Sequence, residues 1–275
     1  MDDRVKAAAH AIRTADALLI TTGAGMGVDS GLPDFRGDHG FWHAYPPYAA
    51  LGLSFSDLAD PRWFRTDPAL AWGFYGHRLE LYRRTLPHDG FAILRAWEAT
   101  APSGAFVFTS NVDGQFQRAG FDPQRIVECH GSIHLAQCTR CERPAFAADD
   151  IALAIDMATM RAPLPLPTCD RCGALLRPAI LMFGDGHWED SIANAQHRRL
   201  QQWLVGLPDD ARLVVVECGA GTAIPTVRYT GERLQSMRKA TLVRINPRES
   251  NGPRGTISIA MGARDALRAI AAATR

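Results

Sequence analysis

The sequence lacks a long apolar run, and it lacks an excess of charge of either sign. No stretch of its 275 residues approaches the ~20 apolar residues that a membrane-spanning helix needs. The formal net charge is +1 and lysine and arginine form no long run, which argues against a direct nucleic-acid partner. The first six residues contain no apolar signal core. These absences predict a cytoplasmic protein that contacts neither a membrane nor nucleic acid.

Cysteine is scarce too, but four of the six cysteines occur in two spaced pairs. Cys138-x-x-Cys141 is followed, after 27 residues, by Cys169-x-x-Cys172. Each pair places two thiolates on one side of a tight turn, and two pairs complete a tetrahedral all-sulfur set for a structural Zn²⁺. Disulfides are the alternative, and the reduced thiols of a cytoplasmic protein argue against them.

The composition of the chain and the order of its apolar and amphipathic stretches are typical of an α/β protein. Apolar residues make up 47% and charged residues 21% of the chain, as in an ordinary globular protein. Short, almost wholly apolar runs alternate with amphipathic stretches, which is typical of a parallel sheet covered by helices on both faces. We predict strands at 17–22, 105–108, 126–128, 213–217, 241–245 and 257–259. We predict a first helix that buries Val5, Ala8, Ala9 and Ile12, and further helices at 91–99, 115–119, 192–204, 231–237 and 265–273.

Two segments interrupt this alternation. Residues 38–87 are rich in aromatic residues and proline and are interpreted as a helical insertion, with a helix at 69–84. Residues 137–175 carry the four spaced cysteines and are interpreted as a zinc-binding module. Residues 1–37, 88–136 and 176–275 then form the main domain. The predicted fold is a doubly wound, mainly parallel, Rossmann-like α/β sheet with these two additions.

A glycine-rich turn follows the first predicted strand directly. Gly23, Gly25 and Gly27 let the backbone approach a pyrophosphate, whose charge is met by amide N–H groups. A G-x-G-x-G turn alone is a weak signal, because many such turns only end a strand.

The residues after this turn make the signal specific. The segment Gly23-Ala-Gly-Met-Gly-Val-Asp-Ser-Gly-Leu-Pro-Asp-Phe-Arg-Gly37 resembles the sirtuin signature GAGxSxxSGIPDFRG. The resemblance extends along nearly the whole chain, through Thr109-Ser-Asn-Val-Asp113, Glu128-Cys-His-Gly131, Arg177-Pro-Ala-Ile-Leu-Met-Phe-Gly184, Cys218-Gly-Ala-Gly221 and Ile245-Asn246.

The resemblance implies an NAD-dependent protein-lysine deacylase that acts on acylated-lysine proteins or peptides. It would release nicotinamide and O-acyl-ADP-ribose, and Phe35 would shield the reacting carbon from water. The NAD contacts that the family implies are Gly23, Ala24, Gly25, Asp34, Phe35, Arg36, Ser110, Asn111, Asp113, His130, Gly219, Ala220, Gly221 and Asn246. The substrate contacts that it implies along the acyl-lysine tunnel are Met182, Phe183 and Gly184.

His130 is the candidate general base, and Asn111 and Asp113 are the other catalytic candidates at the nicotinamide end. His130 directly follows a predicted strand, and the carboxyl ends of strands in open α/β sheets face the ligand crevice. With a pKa near ~6.5, an imidazole accepts a proton at neutral pH.

Several departures from the family keep other activities open. Gly27 replaces a serine, Ala220 and Gly221 replace Thr-Ser, and Ser110 replaces a glutamine that reaches the nicotinamide ribose. The segment Asp185-Gly-His-Trp-Glu189 also differs from the family's peptide-binding loop. An NAD hydrolase or mono-ADP-ribosyltransferase using the same crevice, and a non-catalytic NAD-sensing module, are therefore the alternatives.

Three residues of the insertion resemble those of desuccinylase-type (class III) sirtuins. These enzymes carry a small alanine and a Tyr-x-x-Arg pair, which Ala59, Tyr75 and Arg78 match. Residues at i and i+3 share a helix face, and an arginine fork is suited to a carboxylate. The alternative is a surface arginine beside a core tyrosine. The match predicts a preference for succinyl- or malonyl-lysine over acetyl-lysine.

The cysteine spacing generates a prediction about metal content. Purified protein should hold about one Zn²⁺ per chain, because the folding free energy of such modules includes that of metal binding. Cys138→Ser or Cys172→Ser should give unstable or aggregated protein and not a well-folded enzyme with altered kinetics. Metal analysis that finds no zinc in freshly prepared, active protein would contradict the assignment.

Overall fold

A parallel β-sheet forms the centre of the protein. The computed structural model describes residues 2–33, 41–43 and 45–274. The main sheet has six strands: β1 Ala17–Thr22, β2 Ala105–Thr109, β3 Ile126–Glu128, β7 Leu213–Cys218, β8 Thr241–Ile245 and β9 Ile257–Ile259. Their order in the sheet is β3-β2-β1-β7-β8-β9, and every neighbouring pair is parallel. All six predicted strands are confirmed, and only β2 and β7 end one residue later than predicted.

Helices cover both faces of this sheet. Side chains of β1 alternate between the two faces, so Leu18 and Ile20 enter one core and Leu19 enters the other. The helices include α1 Asp3–Arg13, α2 Gly25–Val28, α3 Pro46–Ala50, α4 Phe55–Leu58, α5 Trp63–Thr66, α6 Pro68–Arg84, α7 Asp89–Thr100, α8 Gln115–Arg118, α9 Ser191–Val205, α10 Thr226–Arg238 and α11 Ala263–Thr274. Helices α1, α7 and α11 pack together on one face, and α9 and α10 cover the other. The doubly wound architecture is confirmed. None of the helices described is both long enough and apolar enough to cross a membrane.

One helix begins earlier than the sequence predicts. Helix α10 starts at Thr226, five residues before the predicted start at Gly231. Threonine, valine and glycine have low helix propensity, which argues against a helix in this segment. Burial of Val227 and Arg228 against the sheet outweighs that preference.

The insertion is a set of short helices around an aromatic cluster, followed by the long helix α6. The rings of Phe41, Tyr45, Tyr48 and Phe74 lie 5.3 to 6.0 Å apart between centroids. Asp67 caps α6 by accepting a hydrogen bond from the Leu70 backbone N–H. Aromatic packing of this kind allows a segment with little regular structure to remain ordered.

A second, antiparallel sheet was not predicted from the sequence. Its strands are β4 Gly131–Cys138, β5 Phe146–Ala147 and β6 Leu176–Ile180, in the order β5-β4-β6. The pairing of β4 with β6 shifts register between Ser132 and Ala136, so β4 shows no regular alternation of apolar and polar residues. Strand β4 also crosses the predicted boundary at 136/137, and the division into domains stays a prediction.

A buried ion pair joins two neighbouring strands of the main sheet. Arg244 on β8 donates from Nε to Glu217 Oε1 at 2.5 Å and from Nη2 to Glu217 Oε2 at 3.1 Å. Both side chains are fully buried, and Glu232 also contacts Arg244 at 2.9 Å. Removing one member of such a pair leaves an uncompensated charge in the core.

We therefore expect Arg244→Met to lower the free energy of unfolding by about 3–5 kcal/mol, since Glu217 loses its buried partner. Urea denaturation at neutral pH measures this change. Arg212→Met is the matched control, because Arg212 pairs with Asp16 on the surface and water replaces that contact. Equal losses of unfolding free energy in the two variants would show that burial does not determine how much the Arg244 pair contributes to stability.

Candidate active site and metal centre

Two glycine turns meet where the chain direction across the sheet reverses. Strands β1 and β7 are neighbours, and the chain continues from β1 toward β2 and from β7 toward β8 on the opposite side. Such a switch point is where open α/β sheets bind ligands. Gly25 N–H donates to the Gly219 carbonyl at 3.1 Å. Gly219 has φ +67°, and a Cβ there would lie 2.4 Å from the Gly25 carbonyl carbon. Only backbone fits here, which suits the approach of a phosphate.

A cavity of about 610 Å³ lies over these strand ends. It brings together most of the residues that the sequence predicted for the site. Predicted residues that line it are Gly23, Ala24, Ala59, Tyr75, Arg78, Ser110, Asn111, Asp113, His130, Met182, Phe183, Gly219, Ala220 and Gly221. Asp34, Phe35 and Arg36 lie outside the described residues. Gly25, Gly184 and Asn246 are not among the cavity-lining residues.

Asn246 has a different environment from the one that the sequence suggested. Its side chain is 1% exposed, and its Nδ2 donates to the Ala220 carbonyl at 2.8 Å. Its Oδ1 accepts from the backbone N–H groups of Arg248 and Glu249 at 3.0 and 2.9 Å. These bonds hold the turn after β8 against the glycine turn after β7, and the direct NAD contact stays a prediction.

The segment after β2 carries the nicotinamide-side candidates. Thr109 Oγ1 accepts the Asn111 backbone N–H at 3.0 Å, and Thr22 Oγ1 donates to Thr109 Oγ1 at 2.8 Å. Asp113 Oδ1 accepts the Gln115 backbone N–H at 2.9 Å. Burial raises the pKa of Asp113 to about 6. This carboxyl therefore accepts and releases a proton close to neutral pH.

His130 lies at the turn between β3 and β4. Its carbonyl accepts the Leu181 N–H at 3.0 Å, and Gly131 next to it has φ +77°. Burial lowers the pKa of His130 below its ordinary value, while a hydrogen bond to the Ser110 backbone acts in the opposite direction. The imidazole is therefore neutral at pH 7, as a general base must be.

Two neighbours of His130 have structural roles. His134 Nε2 lies 2.9 Å from the Asp113 carbonyl oxygen. Cys129 is buried, and burial raises the pKa of its thiol to about 12. A thiol with that pKa is a poor nucleophile at neutral pH.

The insertion supplies the other end of the cavity. Arg78 is 6% exposed, and its Nε and Nη2 donate to the Tyr82 hydroxyl at 3.1 and 2.9 Å. Its guanidinium carbon lies 5.1 to 5.8 Å from the ring centroids of Phe55, Phe74, Tyr75 and Tyr82. The alternative of a surface arginine is therefore wrong, because Arg78 is buried against the cavity.

Sequence reasoning missed two residues of this region. Tyr82 and Phe55 both line the cavity and contact Arg78. Tyr82 lies four residues after Arg78 and seven after Tyr75 on the same helix. Residues at these spacings share a helix face, so the spacing that pairs Tyr75 with Arg78 also predicts Tyr82 beside them. Phe55 lies on a different helix, and nothing in the local sequence connects it with Arg78.

The four spaced cysteines come together beside the antiparallel sheet. The Sγ atoms of Cys138, Cys141, Cys169 and Cys172 all lie within 4.8 Å of one another. The Cys138–Cys172 and Cys141–Cys169 Sγ distances are 3.5 and 3.7 Å, too long for S–S bonds. Four sulfur ligands in this arrangement fit a structural Zn²⁺ with no open coordination position.

Comparisons of the sequence and of the structure with known proteins point to one family. A family model described as the Sir2 family matches residues 23–205. A relative from Aquifex aeolicus named NAD-dependent protein deacylase is 28% identical over 233 residues, which cover 85% of this chain and 84% of the relative. A relative of the same name from Methylococcus capsulatus is 32% identical over 246 residues, covering 87% of this chain and 84% of the relative.

Other comparisons differ in their extent. Alignments to three archaeal relatives are shorter, and this chain spans 58 to 60% of their length. A solved structure described as a Sir2 homolog–NAD complex is 25% identical, with a TM-score of 0.75, and the match covers 100% of this chain and 94% of that one. The glycine turns, the cavity, the cysteine cluster and these matches agree, and the chain belongs to the Sir2 family.

Proposed function

We propose that this protein is an NAD-dependent protein-lysine deacylase in which His130 is the general base. The observation that carries the proposal is the continuity of the cavity. A single space runs from the glycine turns at Gly23 and Gly219, past Asn111 and His130, to Met182. A dinucleotide and an acylated side chain therefore have access to the same buried histidine.

The residues present fit NAD. The turns of Gly25 and Gly219 pack directly on each other, and Gly23, Ala24 and Gly221 from the same two turns line the cavity. Amide N–H groups of such turns are the usual partners of a pyrophosphate. Asn111 and Asp113 line the same cavity, where a nicotinamide carboxamide would find hydrogen-bonding groups. Bound NAD supplies an electrophilic ribose carbon with nicotinamide as its leaving group.

The protein's own contribution is a proton acceptor and the exclusion of water. His130 takes a proton from a ribose hydroxyl, and its neutral imidazole requires no prior deprotonation. Val112, Ile180 and Met182 line the cavity with apolar surface near the histidine, so few waters compete with the acyl oxygen. The zinc module lies outside this cavity and takes no part in the reaction.

Product analysis tests the proposal against its alternatives. The protein is incubated with NAD and an acylated peptide, and separately with NAD alone. Deacylation gives free lysine and O-acyl-ADP-ribose only when the peptide is present. Free ADP-ribose from NAD alone would indicate a hydrolase, labelled protein would indicate a transferase, and no turnover would indicate an NAD-sensing module.

The acyl group that we propose is an acidic one, succinyl or malonyl. Among the described residues that line the cavity, Arg78 is the one lysine or arginine. Ala59 is small and buried, and its carbonyl accepts the Phe183 N–H at 2.8 Å, which holds the two walls together. A guanidinium inside an aromatic cage at the end of a cavity suits a carboxylate, because low dielectric strengthens the charge-assisted bond.

The role of His130 generates a kinetic prediction. His130→Ala should lower kcat/KM for deacylation by ~10²–10⁴-fold, the usual contribution of a positioned base, while NAD affinity stays nearly unchanged. Since burial lowers the pKa of His130, wild-type kcat/KM should rise with pH only below the ordinary histidine value of ~6.5 and stay level above it. Nicotinamide exchange should survive better than product formation in the variant. Near-wild-type turnover would remove His130 from the mechanism.

The acyl preference generates a second prediction. Arg78→Met should raise KM for a succinyl peptide by about 10–150-fold, the equivalent of ~1.5–3 kcal/mol for a lost charge-assisted pair. KM for an acetyl peptide should change little. Arg78→Lys, which keeps the charge without the planar fork, should give an intermediate loss. Arg84→Met on the same helix is the matched control, because Arg84 is exposed. Equal losses on both peptides, or a wild-type preference for acetyl-lysine, would contradict the acidic specificity.

A further inference from the structure

Two buried polar atoms beside the active site have no hydrogen-bond partner among the described residues. They are Nε1 of Trp188 and Oε1 of Glu128. An indole N–H only donates, and a carboxyl oxygen such as this accepts. Unpaired buried polar atoms are rare in folded proteins and need an explanation.

Both residues line one small cavity of about 10 Å³. Ser132, Glu189 and Gln196 complete its polar wall. A cavity needs about 10–15 Å³ to hold one water, and an internal water usually makes about three hydrogen bonds. One donor, one acceptor and three further polar side chains around a space of this size therefore match a single water molecule.

The two residues come from parts of the chain that both reach the candidate site. Glu128 ends β3, two residues before His130. Trp188 packs over Gly131, the residue that follows His130. A Cβ at Gly131 would lie 3.2 Å from Trp188 Cζ2. A connection between Trp188 and Glu128 would therefore hold the indole against the backbone turn that presents His130.

The segment that carries Trp188 is already held at both of its ends. Asp185 forms a buried ion pair with Arg177 on β6. Gln137 on β4 donates from Nε2 to the His187 carbonyl at 2.8 Å and accepts from the Glu189 N–H at 3.1 Å. Residues 185–189 are also where the sequence departs from the family. Glu189 Oε2 also accepts the Ala145 N–H at 2.9 Å. Trp188 adds a contact from the middle of this segment to Gly131.

We propose that Trp188 and Glu128 are positioning residues, joined by one internal water that accepts from the indole N–H and donates to the carboxyl oxygen. The water fixes residues 185–189 against the strand end that carries His130. This role rests on the proposed deacylase function, in which residues 185–189 take the place of the family's peptide-binding loop. Its main effect is on peptide binding, because the water fixes the indole in the middle of a segment whose two ends are already held.

The first test does not depend on activity. A high-resolution crystal structure of the full chain should contain one water within hydrogen-bonding distance of both Trp188 Nε1 and Glu128 Oε1. In solution, the Trp188 indole N–H should exchange with solvent slowly. A direct indole contact to protein, no water at this position, or fast exchange would overturn the proposal.

The second test separates positioning from stability. Trp188→Phe keeps the ring and removes the N–H, so KM for the acyl peptide should rise about 2- to 10-fold. KM for NAD, kcat and the melting temperature should change little. Trp203→Phe is the control, because Trp203 Nε1 donates to the Ser103 carbonyl at 3.1 Å, before the amino end of β2, and neither residue lines the cavity.

Unchanged peptide KM in Trp188→Phe, or a parallel rise in KM for NAD, would overturn the positioning role. If the wild-type protein removes no acyl group, the proposed function fails. The crystallographic water and the exchange rate still decide whether Trp188 and Glu128 are joined, so the two failures are distinguishable.

Discussion

The site depends on the contact between two backbone turns at the centre of the parallel sheet. Strands β1 and β7 are neighbours, so their carboxyl ends bring Gly25 and Gly219 within hydrogen-bonding distance. Side chains are excluded at this contact. Strands β2 and β3 end at the same edge of the sheet, and they bring Asn111 and His130 to the same cavity. The strand order therefore assembles residues that are far apart in the sequence.

Burial then sets the charge of the groups around the cavity. It lowers the pKa of His130 and raises that of Asp113 to about 6. It also raises the pKa of Glu128, which does not line this cavity, to about 7. These shifts have opposite directions and the same cause, since removal from water favours the neutral form of an acid and of a base. Arg78 keeps its charge against this trend, with the Tyr82 hydroxyl and aromatic ring faces around it. Among the described residues that line the cavity, a neutral histidine and a carboxyl that titrates close to neutral pH are thus combined with one cation, Arg78.

The sequence predicted the main sheet well and the smaller sheet not at all. Strands buried on both faces are continuous apolar runs with few alternative interpretations, and all six were located. Strand β4 contains a register shift, so its side chains follow no simple period, and its partner β6 is distant in the sequence. The motifs of the family located the cavity residues that follow β1, β2, β3 and β7. Phe55 and the tiny cavity at Trp188 required the packing of segments that no local pattern connects.

The contact between His130 and the backbone of Ser110 has an evolutionary consequence. Position 110 supports the imidazole through the main chain, which every residue type provides. The side chain at this position takes no part in that hydrogen bond. The small Ser110 hydroxyl lies 3.4 Å from the Thr22 carbonyl oxygen instead. Drift at this position changes the cavity wall without removing the support of the histidine.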